Sequence, residues 1–208
     1  MSGRRLEQIR ERALQDLKAS EVLMVHGHFD YGNGYHGRVY LNPHQLLRYP
    51  STIWRVGQDL LDLIPHDLLS QTDAVAGPVT GGALLAHTLA GLLDGRRSLN
   101  RAPYQFAPFN YDPDVGLMLR PFYARCLASQ RVLLADDVRN TGKTFERCAM
   151  LVTEAGGEVV GTVEIYDRLE PLIDLGVPNY ALVEYQAPEN YPASACPMCQ
   201  GGEPFTKF

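Results

Sequence analysis

Apolar positions recur along the chain with two alternating spacings, one helical and one strand-like. Apolar residues three or four positions apart predict helices, whereas short and nearly continuous apolar runs between glycine, proline or polar residues predict buried strands. The predicted helices cover residues 4–19, 53–64, 82–93 and 144–155. The predicted strands cover residues 74–77, 103–109, 131–135, 158–166 and 181–184. Because strands alternate with helices, the pattern predicts an α/β fold with a parallel sheet flanked by helices.

Two segments fall outside this alternation. Residues 22–42 are rich in glycine and aromatic residues and predict a turn between short strands, whereas residues 110–120 predict a loop. Residues 74–93 carry no formal charge, which invites comparison with a membrane span. Glycine and proline break the first half of that run, so a strand, a loop and a helix explain it better.

Composition excludes several classes of function. The 208 residues, 45% apolar and 21% charged, suit one globular domain with a small appendage. The 19 basic and 24 acidic residues give a net charge of −5, with no general nucleic-acid or membrane-surface footprint. The amino terminus lacks the apolar core of a secretory signal, and the four cysteines then indicate reduced thiols. We therefore expect a cytoplasmic protein.

The clearest chemical signal is VLLADDVRNTGKT at residues 132–144. An apolar strand ends at Asp136 and Asp137, and a glycine turn then opens a helix. The carboxylates can hold sugar hydroxyls or a cation, while backbone N–H groups of the turn hold a phosphate. A P-loop is excluded because Asp137 occupies the position of that motif's first glycine. The remaining alternative is an ordinary buried strand whose acids start a turn.

GPVTGG at residues 77–82 is a second candidate anion-binding loop. It also follows a predicted strand and opens a predicted helix, and its glycines let backbone N–H groups approach an anion. In isolation it is equally typical of a plain strand-to-helix turn. Two such loops at the carboxyl edge of one parallel sheet predict a site with two anionic positions.

Several segments together resemble the orotate phosphoribosyltransferases, a family of type I phosphoribosyltransferases that use phosphoribosyl diphosphate (PRPP). The matching segments are GHF at 27–29, GYH at 34–36, VYLN at 39–42, GPVTGGALLA at 77–86, DDVRNTGKT at 136–144 and Asp167-Arg168. They keep the family's order over roughly residues 20–170. The resemblance implies conversion of orotate and PRPP to orotidine 5′-phosphate and pyrophosphate in pyrimidine biosynthesis.

The resemblance also implies roles for individual residues. Asp136 and Asp137 are implied as the catalytic pair, and Asn140 and Arg168 as the orotate-binding residues. PRPP binding is implied for Asp136, Asp137, Val138, Arg139, Asn140, Thr141, Gly142, Lys143, Thr144, Thr80, Gly81 and Gly82. Mg²⁺ is implied mainly as a substrate-bound ion, with no metal site formed by the protein alone.

A homodimer and a division into three parts are also expected. Apolar side chains of the segment corresponding to the family's mobile loop would pack between subunits: Leu117, Met118, Leu119, Phe122 and Tyr123. The expected parts are an amino-terminal helix and small hood subdomain at 1–45, a phosphoribosyltransferase core at 46–190 and a tail at 191–208.

The chain departs from the family in its mobile loop and in its PRPP motif. That loop usually bears lysines and a histidine, but residues 106–125 contain neither, which leaves Arg120 or Arg125 to supply charge. Arg139 and Asn140 are unusual within the motif. Two alternatives therefore stay open: a phosphoribosyltransferase for another base, and a PRPP-binding regulatory protein with little turnover.

Arg168 has its own alternative, a surface ion pair with Asp167 or Glu170. Cys196 and Cys199 have the spacing of half a zinc site, but the other cysteines are isolated and no histidine follows them. The histidines of the amino-terminal segment also suggest a metal, although packing or surface roles suit them better: His26, His28 and His36.

Overall fold

A computed structural model describes residues 3–20, 22–24, 26–31, 34–96, 102–169, 173–186 and 190–206. The helices are α1 (Gly3–Ala19), α2 (His44–Leu47), α3 (Pro50–Leu63), α4 (His66–Gln71), α5 (Gly81–Arg96), α6 (Pro121–Leu127), α7 (Lys143–Glu154) and α8 (Pro197–Gln200). The strands are β1 (Leu23–Met24), β2 (Phe29–Asp30), β3 (Tyr35–Gly37), β4 (Tyr40–Leu41), β5 (Ala74–Pro78), β6 (Gln105–Asp112), β7 (Gly116–Leu119), β8 (Arg131–Arg139), β9 (Glu158–Asp167), β10 (Asn179–Glu184) and β11 (Tyr191–Pro192).

The central sheet has six strands in the order β10-β9-β8-β5-β6-β7. All neighbouring pairs are parallel except β6 with β7. The predicted parallel sheet flanked by helices is therefore confirmed, with one antiparallel strand added at an edge. β5 is buried along its whole length, as expected for a strand with helices on both faces.

The antiparallel edge corrects the prediction of a loop over residues 110–120. The chain forms a hairpin there, because the Asp112 carboxylate accepts hydrogen bonds from the backbone N–H groups of Asp114, at 2.9 Å, and Val115, at 3.2 Å. Gly116 then adopts a positive φ of 76° and begins β7. The sequence-based prediction gave too much weight to Pro113 and too little to the turn that the Asp112 side chain forms.

Two apolar clusters cover the two faces of the sheet. One joins α1, α3 and α5 to the sheet through residues such as Leu17, Leu60 and Leu89. The other joins α6 and α7 through Leu127, Phe145 and other buried residues. No helix in the described part of the chain is long and apolar enough to cross a membrane.

A small three-stranded sheet, β11-β3-β2, stands apart from the central one. Its strands come from both ends of the chain, because β11 pairs with β3 through Tyr191 opposite His36. A separate two-stranded pair joins β1 and β4. The predicted short strands within residues 22–42 are thus present, and the carboxyl-terminal segment pairs with them.

Candidate active site

The two candidate anion-binding loops lie side by side at the carboxyl edge of the central sheet. β5 and β8 are parallel neighbours, so the loop from β5 to α5 and the loop from β8 to α7 emerge together. β8 is longer than the sequence predicted and extends to Arg139, because its pairing with β9 continues to Arg139 opposite Asp167. The two acids therefore lie within the strand.

Close approach of the two loops explains the paired glycines Gly81 and Gly82. A Cβ atom at Gly81 would overlap the carboxylate of Asp137, and one at Gly82 would lie 2.8 Å from an Asp136 carboxylate oxygen. Any larger side chain at either position would push the acids out of place. The glycines bring the start of α5 against both acids, so the predicted residues of the two loops form one site.

Asp136 is only 7% exposed. Burial raises its pKa well above the usual range, and the neighbouring charge of Asp137 raises the pKa further. The Asp137 backbone N–H donates a 2.9 Å hydrogen bond to Asp136 Oδ1 and partly offsets this effect. A pair of acids in this environment gains from hydroxyl donors or from positive charge, which a ribose ring or a cation supplies.

The loop after β8 has the geometry of an anion cradle. Gly142 has a φ of 85°, a left-handed conformation that suits glycine, and α7 begins at the next residue. The N-cap residue of α7, Gly142, has no side chain with which to cap the amino terminus of the helix. Asn140, Lys143 and Thr144 are exposed around it. Backbone N–H groups and a lysine at a helix amino terminus are suited to a phosphate.

The predicted site residue Arg139 lies behind the loop rather than at its open face. Its side chain is buried, and a guanidinium nitrogen lies 4.0 Å from the Asp167 carboxylate. Its backbone carbonyl accepts a 3.1 Å hydrogen bond from the Arg168 N–H. Arg139 therefore connects the phosphate loop to the end of β9.

Arg168 and Asn140, the two predicted base-binding residues, lie together. An Arg168 guanidinium nitrogen donates to Asn140 Oδ1 at 3.4 Å. Tyr31, from the segment after β2, lies close enough that the Arg168 charge lowers its pKa, although burial has the larger effect and raises it. The alternative ion pair of Arg168 with Glu170 lies outside the described residues.

Sequence reasoning missed a buried polar group behind this site. Glu164 is fully buried, and its carboxylate accepts a 2.7 Å hydrogen bond from the Asn179 amide. Among the described residues, Glu164 Oε2 and Arg139 Nε have no hydrogen-bond partner. Arg139, Thr162, Asp167 and Asn179 also line a cavity of about 310 Å³ beside it. The sequence did contain a signal for this group: Glu164 stands between Val163 and Ile165 in a predicted buried strand, where a carboxylate needs a polar partner.

Glu164→Gln should make stability less dependent on pH. Burial is the main cause that raises the pKa of Glu164 to about 8, so the folded state binds its proton more tightly than the unfolded state does. The contribution to stability is full below the unfolded pKa of about 4.5 and is lost as pH rises through about 8. The neutral amide avoids this loss, whose upper limit is about 5 kcal/mol.

Urea unfolding of both proteins between acidic and alkaline pH measures the difference. Glu158→Gln, at the exposed start of the same strand, is the matched control and should follow the wild type. Parallel pH profiles for Glu164→Gln and the wild type would show that Glu164 is not protonated in the folded state.

Comparison with known proteins agrees with this geometry. A search of family models found no match. An orotate phosphoribosyltransferase from Erythrobacter litoralis is 34% identical over 178 residues, covering 86% of each chain. The crystal structure of the Aeropyrum pernix orotate phosphoribosyltransferase superposes with a TM-score of 0.64 at 22% identity, covering 82% of this chain and 92% of the other.

A second solved structure shares the fold but carries a different name. The adenine phosphoribosyltransferase of Thermoanaerobacter pseudethanolicus superposes with a TM-score of 0.59 at 20% identity, covering 83% of this chain and 99% of the other. The six-stranded sheet with two adjoining loops at its carboxyl edge thus defines the class of type I phosphoribosyltransferases. Within that class, the chain is 31–34% identical in sequence to three orotate phosphoribosyltransferases over most of its length. The chain therefore belongs to the orotate phosphoribosyltransferase family.

Proposed function

We propose that the chain transfers the phosphoribosyl group of PRPP to orotate, yielding orotidine 5′-phosphate and pyrophosphate. The observation that carries this proposal is the contact between the paired acids of β8 and the paired glycines that open α5. That contact creates a position for a ribose at the acids and positions for a phosphate group on either side of the ribose. Family membership supplies the base.

Each part of PRPP has a chemically matched position. The 5′-phosphate is assigned to the turn from Val138 to Thr144, where backbone N–H groups, hydroxyls and Lys143 converge at the start of α7. The pyrophosphate is assigned to Thr80, Gly81 and Gly82 at the start of α5. Asp136 and Asp137 lie between these positions and hold the ribose hydroxyls.

The acids also favour the reaction electrostatically. As the bond from the ribose to pyrophosphate breaks, positive charge develops on the ribose ring before its bond to the base nitrogen forms. Negative charge held nearby in a partly buried site stabilises that transition state. No side chain acts as a covalent nucleophile, so positioning and electrostatics carry the rate.

Magnesium fits this site as a substrate-bound ion. The carboxylates of Asp136 and Asp137 are oxygen ligands of the kind Mg²⁺ prefers. Burial, and after it the repulsion from Asp137, raises the pKa of Asp136, and a nearby cation would offset that repulsion. Asp136 and Asp137 would lie beside an ion bound mainly through the substrate. When bound, such an ion would supply positive charge to neutralise the departing pyrophosphate.

Arg168 is proposed as the anchor of the base. A guanidinium can pair with the orotate carboxylate in a two-pronged contact, and Asn140 offers an amide for the ring carbonyls. The hydrogen bond between these two side chains places both groups beside the loop that would hold the ribose. Burial raises the pKa of Tyr31, and the charge of Arg168 partly lowers it, so Tyr31 is within electrostatic range of this group.

A different base is the second candidate. The hairpin of β6 and β7 with α6 contains no lysine or histidine, unlike the loop that closes the family's sites. A protein with the same fold is named adenine phosphoribosyltransferase, so the fold alone does not specify the base. A regulatory PRPP-binding protein would bind PRPP at the same loops without turnover.

The proposal is tested by following pyrophosphate release from PRPP and Mg²⁺ in the presence of orotate. Mass spectrometry of the product should show orotidine 5′-phosphate. Release of pyrophosphate without a new nucleotide would mean that PRPP is hydrolysed rather than used. PRPP binding without pyrophosphate release would identify the regulatory alternative.

We also propose a homodimer that uses the hairpin side of the molecule. Of the predicted interface residues, Phe122 is 63% exposed, whereas Leu117, Leu119 and Tyr123 pack partly against the α6–α7 cluster. Tyr111 and Val115 are also largely exposed. An apolar group of this kind gains free energy when a second subunit covers it.

Phe122→Glu should shift the protein toward the monomer. Multi-angle light scattering at micromolar concentration should give twice the chain mass for the wild type and a reduced mass for the variant, because a buried charge is costly. Trp54→Glu is the matched control: Trp54 is exposed on α3, and its substitution should leave the mass unchanged. A monomeric wild type would contradict the proposal.

The remaining expectations stand as proposals. We propose that the small sheet acts as the hood of the base site and includes the tail, because β11 pairs with β3 and Tyr31 lies near Arg168. The division into an amino-terminal helix and hood at 1–45, a core at 46–190 and a tail at 191–208 stays a proposal, and Ile9, Ala13 and Leu17 of α1 pack in the main apolar cluster. A cytoplasmic location is supported by four free cysteines.

A further inference from the structure

Four potential metal ligands meet where the amino-terminal segment contacts the tail. They are His28, His36, Cys196 and Cys199, and their ligand atoms all lie within 4.8 Å of one another. The first three residues are buried. The sequence showed the two cysteines as half a zinc site without a completing pair. The structure supplies that pair from a segment almost the whole chain length away, since His28 and Cys196 are 168 positions apart.

We propose that His28, His36, Cys196 and Cys199 bind one structural zinc ion. The separations of their ligand atoms carry the inference. In a tetrahedral site with zinc bonds of about 2.0–2.1 Å to nitrogen and about 2.3 Å to sulfur, two nitrogens lie about 3.4 Å apart. A nitrogen and a sulfur lie about 3.6 Å apart in the same geometry.

Four of the six separations lie within about 0.3 Å of these values, and all six are within 4.8 Å. His28 Nε2 lies 3.4 Å from His36 Nδ1. It lies 3.6 Å from Cys196 Sγ and 3.7 Å from Cys199 Sγ. Cys199 Sγ lies 3.3 Å from His36 Nδ1. Two sulfurs and two nitrogens grouped in this way are the donor set that selects zinc over magnesium or calcium.

The outer contacts of both histidines leave the correct nitrogens for a metal. His28 Nδ1 lies 2.8 Å from the Glu203 carbonyl oxygen, which only accepts hydrogen bonds, so Nδ1 carries the proton and Nε2 presents a lone pair. His36 Nε2 faces the Asp30 carboxylate at 3.8 Å, while its Nδ1 faces the cysteines. Zinc-bound histidines make outer contacts of this kind.

Hydrogen bonds alone satisfy the cluster less well. A proton can join one pair of these atoms, whereas a zinc ion at their centre contacts all four at once. The phenyl ring of Phe205 packs against both imidazoles, with ring centres 4.3 Å from His28 and 5.0 Å from His36, and shields the group. Four protein ligands leave no open position, so the ion is structural.

The small sheet needs such a connection. Its strands have only two or three residues each, which is too few for independent stability in water. Zinc would join His36 of β3 and His28, which directly precedes β2, to the tail, in addition to the ion pair of Arg38 with Glu203 at 2.7 Å.

The test is the metal content of the full-length chain, purified without a histidine tag. Mass spectrometry of the wild type should find about one zinc ion per chain. Cobalt exchanged for zinc should give the intense visible bands of a tetrahedral ion and a charge-transfer band from the thiolates. A wild type that contains no zinc after growth with zinc, or that joins Cys196 to Cys199 in a disulfide, would overturn the proposal.

Variants assign the ligands. Cys199→Ser should lose nearly all zinc, and because Cys199 is exposed the substitution costs little packing. Cys126→Ser, at a partly buried cysteine outside the cluster, should retain it. If Cys199→Ser proves unstable, chelation of the folded wild type gives an independent measure, and its melting temperature should fall. Zinc retained by Cys199→Ser, or a melting temperature unaffected by complete zinc removal, would contradict a structural site.

Discussion

Replacing both acids, in Asp136→Asn with Asp137→Asn, should reduce PRPP-dependent turnover by about 100- to 1000-fold or more while the protein stays folded. The amides keep the size of the side chains but remove the negative charge that faces the ribose. Stability should hold or increase, because Asp136 is buried and its pKa is raised, so neutralisation removes an unfavourable charge. Steady-state kinetics and thermal unfolding together measure the two effects.

Because turnover should fall while stability holds or increases, the loss of activity cannot be attributed to unfolding. Asp67→Asn, at an exposed acid in α4, is the matched control and should leave both turnover and melting temperature unchanged. A double variant that is folded and turns over at nearly the wild-type rate would show that the acids only form the end of a strand.

Arg168→Ala should raise the KM for orotate by about 10- to 100-fold, with a much smaller effect on the KM for PRPP. The estimate follows from the loss of a hydrogen bond to a charged group, about 1.5–3 kcal/mol, at about 1.4 kcal/mol for each factor of ten. Arg168 contacts Asn140 at 3.4 Å, beside the proposed ribose position, so its loss acts on the base side of the site.

Two further variants sharpen this result. Arg168→Lys keeps the charge but loses the planar two-pronged contact, so it should recover only part of the affinity for orotate. Arg55→Ala removes an exposed arginine of α3 and should leave both KM values unchanged. Equal, small effects of Arg168→Ala on both substrates would remove Arg168 from the base site.

Local patterns in the sequence were sufficient to predict the core and the two adjoining loops at the edge of the sheet. A continuous apolar run followed by Asp136 and Asp137 marks the end of a buried strand, and GPVTGG marks a close turn. Their meeting follows from general topology, because neighbouring parallel strands end at one edge of a sheet. The resemblance to a family added the proposal that Asn140 and Arg168 bind the base, and the two side chains lie together in the structure.

Features that depend on long-range contact could not be predicted in this way. The histidines and cysteines of the proposed zinc site lie at opposite ends of the chain, and β11 pairs with β3 over a similar separation. The orientation of Arg139 toward Asp167, instead of toward the loop, is set by a neighbouring strand. The hairpin after β6 was missed for another reason: the carboxylate of Asp112 closes its turn.

The central claim is that this PRPP site serves orotate. The most direct measurement compares kcat/KM for orotate, uracil, hypoxanthine and adenine in PRPP-dependent pyrophosphate release with Mg²⁺. The account predicts turnover with orotate and little with the neutral bases, because each would leave the Arg168 guanidinium without its carboxylate partner. Turnover with adenine or hypoxanthine but not with orotate would contradict it.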